Sequence, residues 1–510
     1  MMWDEEVDVL VAGSGGALAG ACTAAREGLR VLVVEAASTF GGTTAYSGGG
    51  MWFPCNPVLR RAGVDDTVED ALTYYRSVVG ERTPAALQEA FVRGGAPLVE
   101  YLEQEEHITF EPLPWPDYYG AAPKARKDGM RHMTAAPLPA AELGGLRELL
   151  RPPLDTERLG APRPDTLIGG QALVARLLLA VSAYANAELR PNTPLVELVT
   201  ESGAVTGAVV EHEGQRLHVR ARRGVLLGTG GFEAGPDLRE RYGVPGAAED
   251  TMGVPTNTGG GLLAGLATGA DVDLMDQAWW APGITHPDGR STFSLWFTGG
   301  IFVGPDGRRF VNESAPYDRI GRAALNRLAD GTLTLPYWMV YDDREGTMPP
   351  VKATSVSMSD PQRYVEAGLW HTADTLEELA GRIGVPAENL VATVARYNKM
   401  VADGVDTDFG RGDEAFDRAF SGGRSPMVPL ERGPFHAAAF GLSDLGTKGG
   451  LRTDTAARVL DPSGNVIDGL YATGNTMAAP SGEAYPAGGH PIGTSMLFSH
   501  LAVLHMAGKA

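Results

Sequence analysis

Apolar and polar positions alternate from Val7 to Ala12, and the apolar ones are mostly β-branched, which predicts a strand. A turn of small residues follows, GSGGALAG from Gly13 to Gly20, and opens a helix running to about Glu27. A second apolar run, Val31 to Val34, predicts a strand that ends on Glu35. Buried-type strands running into glycine recur in RRGVLLGTGGFEA (Arg222 to Ala234) and in GLYATGN (Gly469 to Asn475). Between them, Thr258 to Val272 predicts a helix that ends in Gly269. Aromatics then crowd one stretch: Trp279, Trp280, Phe293, Trp296 and Phe297. Gly299 to Ala323 predicts a hairpin turning at Pro305-Asp306-Gly307, then a polar loop that carries Tyr317. The acidic, Gly-rich stretch Asp403 to Asp417 predicts an exposed loop. Near the C-terminus, GEAYPAGGHPIGTSM (Gly482 to Met496) predicts a glycine-rich turn before a last helix.

At 510 residues the chain exceeds one usual core, so two domains are expected. With 43 basic and 63 acidic residues the net charge is -20, which argues against nucleic acid or an anionic membrane surface as partner. The N-terminus has no basic segment followed by an apolar stretch, and no apolar run is long enough to span a bilayer. Cys22 falls in the first helix and Cys55 in a Pro-flanked loop, so a disulfide is not expected and a reduced cytoplasmic setting fits. No Cys/His group has metal-ligand spacing, so no metal is expected.

The first strand, turn, helix and second strand form a βαβ unit with an acid about 20 positions after the glycines, the arrangement that binds a dinucleotide. Gly13, Ser14, Gly15 and Gly16 would bring backbone N–H groups to a pyrophosphate, and Glu35 would accept from a ribose hydroxyl. The sixth motif position is Leu18 rather than glycine, so Ala17 is expected to take the close-packing role. After Glu35 the chain enters ASTFGGTTAYSGGGMWFP, small and hydroxylic, where a NAD domain would start another helix. Ala36, Gly42, Thr43, Thr44, Ser47 and Gly48 are candidates along the rest of the cofactor. Val196, Gly230, Gly474, Asn475, Pro491 and Ile492 are candidates from later segments. A site assembled from both chain ends fits FAD, bound non-covalently.

GSGG, Glu35, GGTTAYSGG, VLLGTGG, GLYATGN and PIGTSM together resemble the flavoprotein family of fumarate reductases and 3-ketosteroid dehydrogenases, over nearly the whole length. That resemblance implies an α/β fold: a Rossmann-like FAD-binding domain built from both chain ends, with an inserted α+β catalytic domain. The boundaries expected are 1–276 and 447–510 for the first and 277–446 for the second. Three further segments resemble 3-ketosteroid Δ1-dehydrogenases: WPDYYG with Tyr118, ESAPYD with Tyr317, and the last glycine-rich run with Tyr485 and Gly489.

The reaction implied removes hydrogen from C1 and C2 of a 3-ketosteroid. By the resemblance, Tyr317 takes the C2 proton and Tyr118 assists it, while the Tyr485 hydroxyl and Gly489 N–H hold the C3 oxygen as charge grows there. A free tyrosine titrates at roughly 10, so turnover is expected to rise with pH into the alkaline range. Met51, Trp52, Trp115, Phe293 and Trp296 could line a flat apolar slot. His490 is ranked below Tyr485, because the motif does not require it. The chain departs from the pattern at Ala484 and Ala487, where pocket shape near the carbonyl is at stake. Three rivals stay open: a 4-ene-forming (5α) steroid dehydrogenase, a fumarate-reducing flavoprotein, and a non-catalytic flavin carrier. The expected partners are a steroid and an electron acceptor, which a quinone would suit.

Overall fold

The alternating N-terminal run is strand β1 (Glu5–Ala12), and it lies at the centre of a parallel sheet. In the computed structural model, which describes residues 2–358 and 360–509, β1 pairs with β2 (Val31–Val34), and β2 pairs with β3 (Ala187–Arg190). On its other side β1 pairs with β4 (Gln215–Leu227), and β4 pairs with β5 (Val466–Ala472). All four pairings are parallel, in the order β5-β4-β1-β2-β3. The carboxyl ends of five strands, drawn from both ends of the chain, therefore share one edge. The amino half of β4 instead pairs antiparallel with Ala204–His212.

Helix α1 (Leu18–Arg26) is built from small residues and is almost wholly buried. It packs on the last helix, α2 (His490–Met506). A Cβ on Gly16 would lie 2.6 Å from the Ser495 Cβ, and one on Gly20 would lie 2.8 Å from the Ser499 Cβ. Gly16 in the turn that opens α1 and Gly20 within it face residues four apart on α2, so the two elements approach closely only because Cβ atoms are missing.

The chain divides into two compact units. One holds the chain up to Val244, Gly253–Ala278, and the chain from Gly446 onward; the other holds Pro245–Met252 and Trp279–Leu445. The second unit is built on a largely antiparallel sheet that includes Ile301–Val303, Tyr337–Asp342 and Phe435–Thr447. Alternation assigns Phe302 and Met339 to one core and Ile301, Val303 and Val340 to another. Ile320 and Ala324 of the helix Tyr317–Ala329 cover the first, and Leu379, Leu390 and Val394 cover the second.

Three sequence expectations need correction here. The hairpin at Pro305-Asp306-Gly307 is reduced to a tight turn closed by one bridge, Val303 to Arg309. Its second arm leaves the sheet because Arg309 is drawn into ion pairs with Glu313 (2.8 Å) and Asp406 (2.9 Å). For the same reason Asp403 to Asp417 is only in part an exposed loop: Gly404, Val405, Asp408 and Asp413 are exposed, but the charged side chains that face Arg309 and Glu313 are not. Asp406, Arg411 and Asp417 are buried, and Arg411 reaches Glu313 at 3.2 Å and the Gly300 carbonyl at 2.7 Å. Burial raises the Asp406 carboxyl, but the Arg309 guanidinium outweighs it and holds it below its ordinary value. Tyr317, finally, is the first residue of a helix rather than part of a loop, with Pro316 at the N-cap.

Candidate active site and cofactor cradle

The glycines of the first turn sit at the carboxyl edge of the parallel sheet. Gly13 has φ +97°, and a Cβ there would lie 2.1 Å from the Gly228 carbonyl oxygen at the end of β4, so only glycine fits. Ala17 does take the close-packing position, since a Cβ on Gly228 would lie 2.5 Å from the Ala17 Cβ. Gly15 faces the Thr44 hydroxyl, which a Cβ there would meet at 3.0 Å.

Glu35 ends β2 and is buried. Its carboxylate accepts from the Ser14 hydroxyl (2.5 Å) and the Ala37 N–H (2.9 Å), and the Gly41 N–H donates to Ser14 Oγ (2.9 Å). Burial pushes the Glu35 carboxyl above its ordinary value, with the hydrogen bonds opposing. Ala36 lies between Glu35 and the donor Ala37. The Thr193 N–H donates to the Glu35 carbonyl at 2.7 Å, and Val196 is the second residue of the strand Leu195–Glu201 that follows.

Gly42, Thr43 and Thr44 form one turn of 3-10 helix, Gly42–Tyr46. Ser47 donates to the Thr44 carbonyl (2.7 Å), and Gly48 abuts Gly169, whose Cβ would lie 2.8 Å from the Gly48 oxygen. The Thr43 hydroxyl accepts from the Asn257 amide (3.2 Å), and Asn257 donates to Glu233 (2.6 Å). Gly230 has φ +79° and lies against Asn257, while Gly474 has φ +60° and lies against Ser495. A Cβ on Gly231 would lie 3.4 Å from Asn475. Pro491 and Ile492 occupy the first turn of α2. Asn257 and Glu233 are further residues of the cradle that the sequence motifs do not mark; Glu233 lies just beyond the glycines of the 228–231 turn, and Asn257 just before the glycines at 259–261.

This donor set suits FAD. Both α1 and α2 begin without a side-chain cap and without an acid in the first turn, which leaves their positive ends available to phosphate and carbonyl oxygens. A buried carboxylate stands at the end of the second strand, where a ribose would be held.

The aromatic segments meet at the end of the chain. The Tyr118 N–H donates to the Pro486 carbonyl at 3.1 Å, and the Tyr74 hydroxyl donates to the same oxygen at 2.5 Å. The Tyr118 and Tyr485 rings make an edge contact, with centroids 5.3 Å apart. Gly488 faces both Tyr118 and Trp115: a Cβ there would lie 2.8 Å from the tyrosine oxygen and 3.0 Å from the indole nitrogen. Gly489 has φ +79° and caps α2, and a Cβ there would lie 2.0 Å from the Gly50 carbonyl oxygen, one residue before Met51. Tyr118, Tyr485, Trp115 and Gly489 are thus gathered, with Met51 on the strand beside them. Trp52 points elsewhere: its Nε1 donates to Asp117 (2.9 Å) and its ring packs on Tyr75 and Phe91. His490 is buried on the same side, 2.7 Å from the Tyr75 hydroxyl, and burial pushes its imidazole down to about 3.

Within the second unit, Tyr317 meets Phe293 edge-on at 4.8 Å, and Trp296 stacks on Phe420 at 4.6 Å. Trp296 adopts φ +62°, unusual for a bulky side chain. Trp296, Phe297, Tyr317, Ile320, Phe416 and Phe420 line a shallow hollow open to solvent.

A parallel sheet that gathers both chain ends, with this cradle at its carboxyl edge, defines an α/β flavoprotein. The FAD binding domain family matches residues 8–492. The chain is 36% identical to a 3-oxosteroid 1-dehydrogenase of Mycobacterium tuberculosis, over 99% of each. It is also 36% identical to a 4-oxocyclohexanecarboxylate 2-dehydrogenase of Sinomonas cyclohexanicum, over 99% of this chain and 93% of that one. The crystal structure of a 3-ketosteroid delta1-dehydrogenase from Sterolibacterium denitrificans, in complex with 1,4-androstadiene-3,17-dione, superposes with a TM-score of 0.90 at 33% identity, covering 99% of this chain and 100% of that one. The chain belongs to the FAD-binding flavoprotein family that includes the 3-oxosteroid 1-dehydrogenases, and its cofactor is FAD. Among the described residues no helix is long and apolar enough to cross a membrane.

Proposed function

We propose that the protein catalyses FAD-dependent 1,2-dehydrogenation of 3-ketosteroids. The observation that carries this reading is the gathering of Tyr118, Tyr485 and Gly489 in a chain 36% identical to a 3-oxosteroid 1-dehydrogenase over its length. When bound, the flavin supplies the hydride acceptor. The Tyr485 hydroxyl and the Gly489 N–H hold the C3 oxygen, where negative charge develops as the C2 proton leaves. Tyr317 accepts that proton, and Tyr118 supports it. Met51, Trp115, Phe293 and Trp296 face the steroid rings, and the segment 277–446 carries the substrate-binding function. A quinone takes the electrons onward, and the cytoplasm is where the protein works.

The second reading is desaturation of a single-ring ketone, favoured by the equal identity to the 4-oxocyclohexanecarboxylate 2-dehydrogenase. Anaerobic mixing with 4-androstene-3,17-dione should bleach the flavin absorbance and yield the 1,4-diene. A 5α-steroid giving only the 4-ene would redirect the assignment. No bleaching by any 3-ketosteroid, together with turnover of 4-oxocyclohexanecarboxylate or fumarate, would overturn it.

A further inference from the structure

Lys448 is fully buried, in the segment that follows the last long strand of the second unit. Its ammonium donates to the carbonyls of Glu483 (2.6 Å) and Ala484 (3.0 Å), the two residues before Tyr485. It stands 5.9 Å from the centroid of the Tyr485 ring. The lysine backbone is pinned at both ends: its N–H donates to the Gln277 carbonyl (2.8 Å), and its carbonyl accepts from Ala479 (3.1 Å). The Glu483 carboxylate points away to Arg82, at 3.6 Å.

Taking an ammonium out of water is expensive, and two backbone carbonyls can be satisfied by a neutral donor. The turn also has a local tie of its own, from the Ser481 hydroxyl to the Ala484 carbonyl at 3.0 Å. A positive charge therefore does more here than close a turn. Its reach is seen in His490, the residue after Gly489: burial first, and then the Lys448 charge, disfavours the imidazolium.

We propose that Lys448 is a positioning residue for the dehydrogenation, its fixed charge over the Tyr485 ring strengthening the hydrogen bond that Tyr485 gives to the ketone oxygen. The inference rests on the roles given to Tyr485 and Gly489 above. As the C2–H bond breaks, its electron pair moves into the C2–C3 bond and charge collects on the C3 oxygen, while the proton goes to the base. The Tyr485 proton stays on Tyr485. A cation close to a phenol ring favours negative charge on its oxygen and so makes the O–H a stronger donor, and in a water-poor site that effect is weakly screened. The interaction matters most when the oxygen is most negative, so it belongs in kcat rather than in ground-state binding.

The test uses the holoenzyme and 4-androstene-3,17-dione with three variants. Lys448→Met removes charge and donors. Lys448→Gln keeps donors for the carbonyls and removes the charge. Lys448→Arg keeps the charge. The expectation is that Met and Gln lower kcat by about 10- to 100-fold with KM and FAD content within about three-fold of wild type, and that Arg recovers most of the rate. If Lys448→Met does not fold, the Gln and Arg variants decide in the same way. Near-wild-type kcat in Lys448→Gln overturns the inference. So does Lys448→Arg as slow as Gln, or a loss of rate that only tracks lost FAD and thermal stability. A wild-type enzyme inactive on every 3-ketosteroid overturns the functional reading itself; an active wild type with an unaffected Gln variant overturns only the role of Lys448.

Discussion

The backbone N–H of Tyr118 donates to the carbonyl of Pro486, so two segments more than 350 residues apart share one short ladder at the point where their tyrosine rings meet. Tyr485 has three kinds of neighbour: the Tyr118 ring in an edge contact, the Lys448 ammonium over its ring, and the Tyr74 hydroxyl on the carbonyl of the following residue. A ring packed in this way lets its hydroxyl meet developing charge with little reorganisation.

Tyr485→Phe removes the hydroxyl and leaves that packing in place. The expected result is a fall in kcat of about 10²- to 10³-fold with FAD retained and the melting temperature little changed, as for loss of one oxyanion donor. Steady-state kinetics on 4-androstene-3,17-dione, with the flavin spectrum as control, checks it. A loss under three-fold would remove Tyr485 from the site.

Gly489 and Gly28 share nearly the same backbone angle, +79° and +77°, but differ in surroundings. A Cβ on Gly28 meets nothing within 4 Å, so Gly28→Ala should cost only the left-handed penalty of about 1–2 kcal/mol. A Cβ on Gly489 would collide with the Gly50 oxygen, so Gly489→Ala should cost about 3 kcal/mol or more and displace the start of α2. Urea unfolding of the pair measures the difference. Activity should collapse in the Gly489 variant and persist in the other.

Much of the first unit was legible in the sequence because its signals are local. Alternation marked β1, glycines marked the turn, and Glu35 closed the strand after the helix. The long-range pairings left no such mark. Nothing near Asp406 or Arg411 announces Arg309 and Glu313, which lie about a hundred residues earlier, so a run of acids and glycines looked like a solvated loop. Lys448 carries no mark either, since burial of a lysine has no sequence signature. Ser495 and Ser499 carry no local sign of the close approach they make to Gly16 and Gly20, almost 500 residues earlier. The three tyrosines emerged from resemblance rather than from pattern, and of these Tyr118 and Tyr485 are in contact within one unit.

That helix contact gives a prediction for the cofactor. Gly16→Val would drive a branched side chain into the Ser495 Cβ and the Met496 N–H, and so separate α1 from α2. Overpacking of this kind costs about 1–3 kcal/mol, and because both helix N-termini border the cradle the cost should fall on FAD binding. Flavin affinity should weaken by about ten-fold or more, the factor for 1.4 kcal/mol. Titration of the apoprotein with FAD, followed by fluorescence quenching, measures it. Unchanged affinity would show that the helix contact and the cofactor site are independent.

The buried histidines set the response to acid. Burial pushes His500 down to about 4 and His490 to about 3, although each keeps a hydroxyl partner, Thr23 at 2.8 Å and Tyr75 at 2.7 Å. In the unfolded chain both titrate near 6.5. Below that pH the unfolded state takes up protons that the native state refuses, so stability falls as pH drops from about 6.5 toward 4. The slope is about 1.4 kcal/mol per pH unit for each histidine. His500→Gln keeps an amide that can meet Thr23 and removes the titrating group. Between pH 7 and pH 5 this variant should lose about 2 kcal/mol less than wild type in urea unfolding. Equal losses in the two proteins would mean that His500 is already protonated in the folded state, or that other groups govern the acid limb.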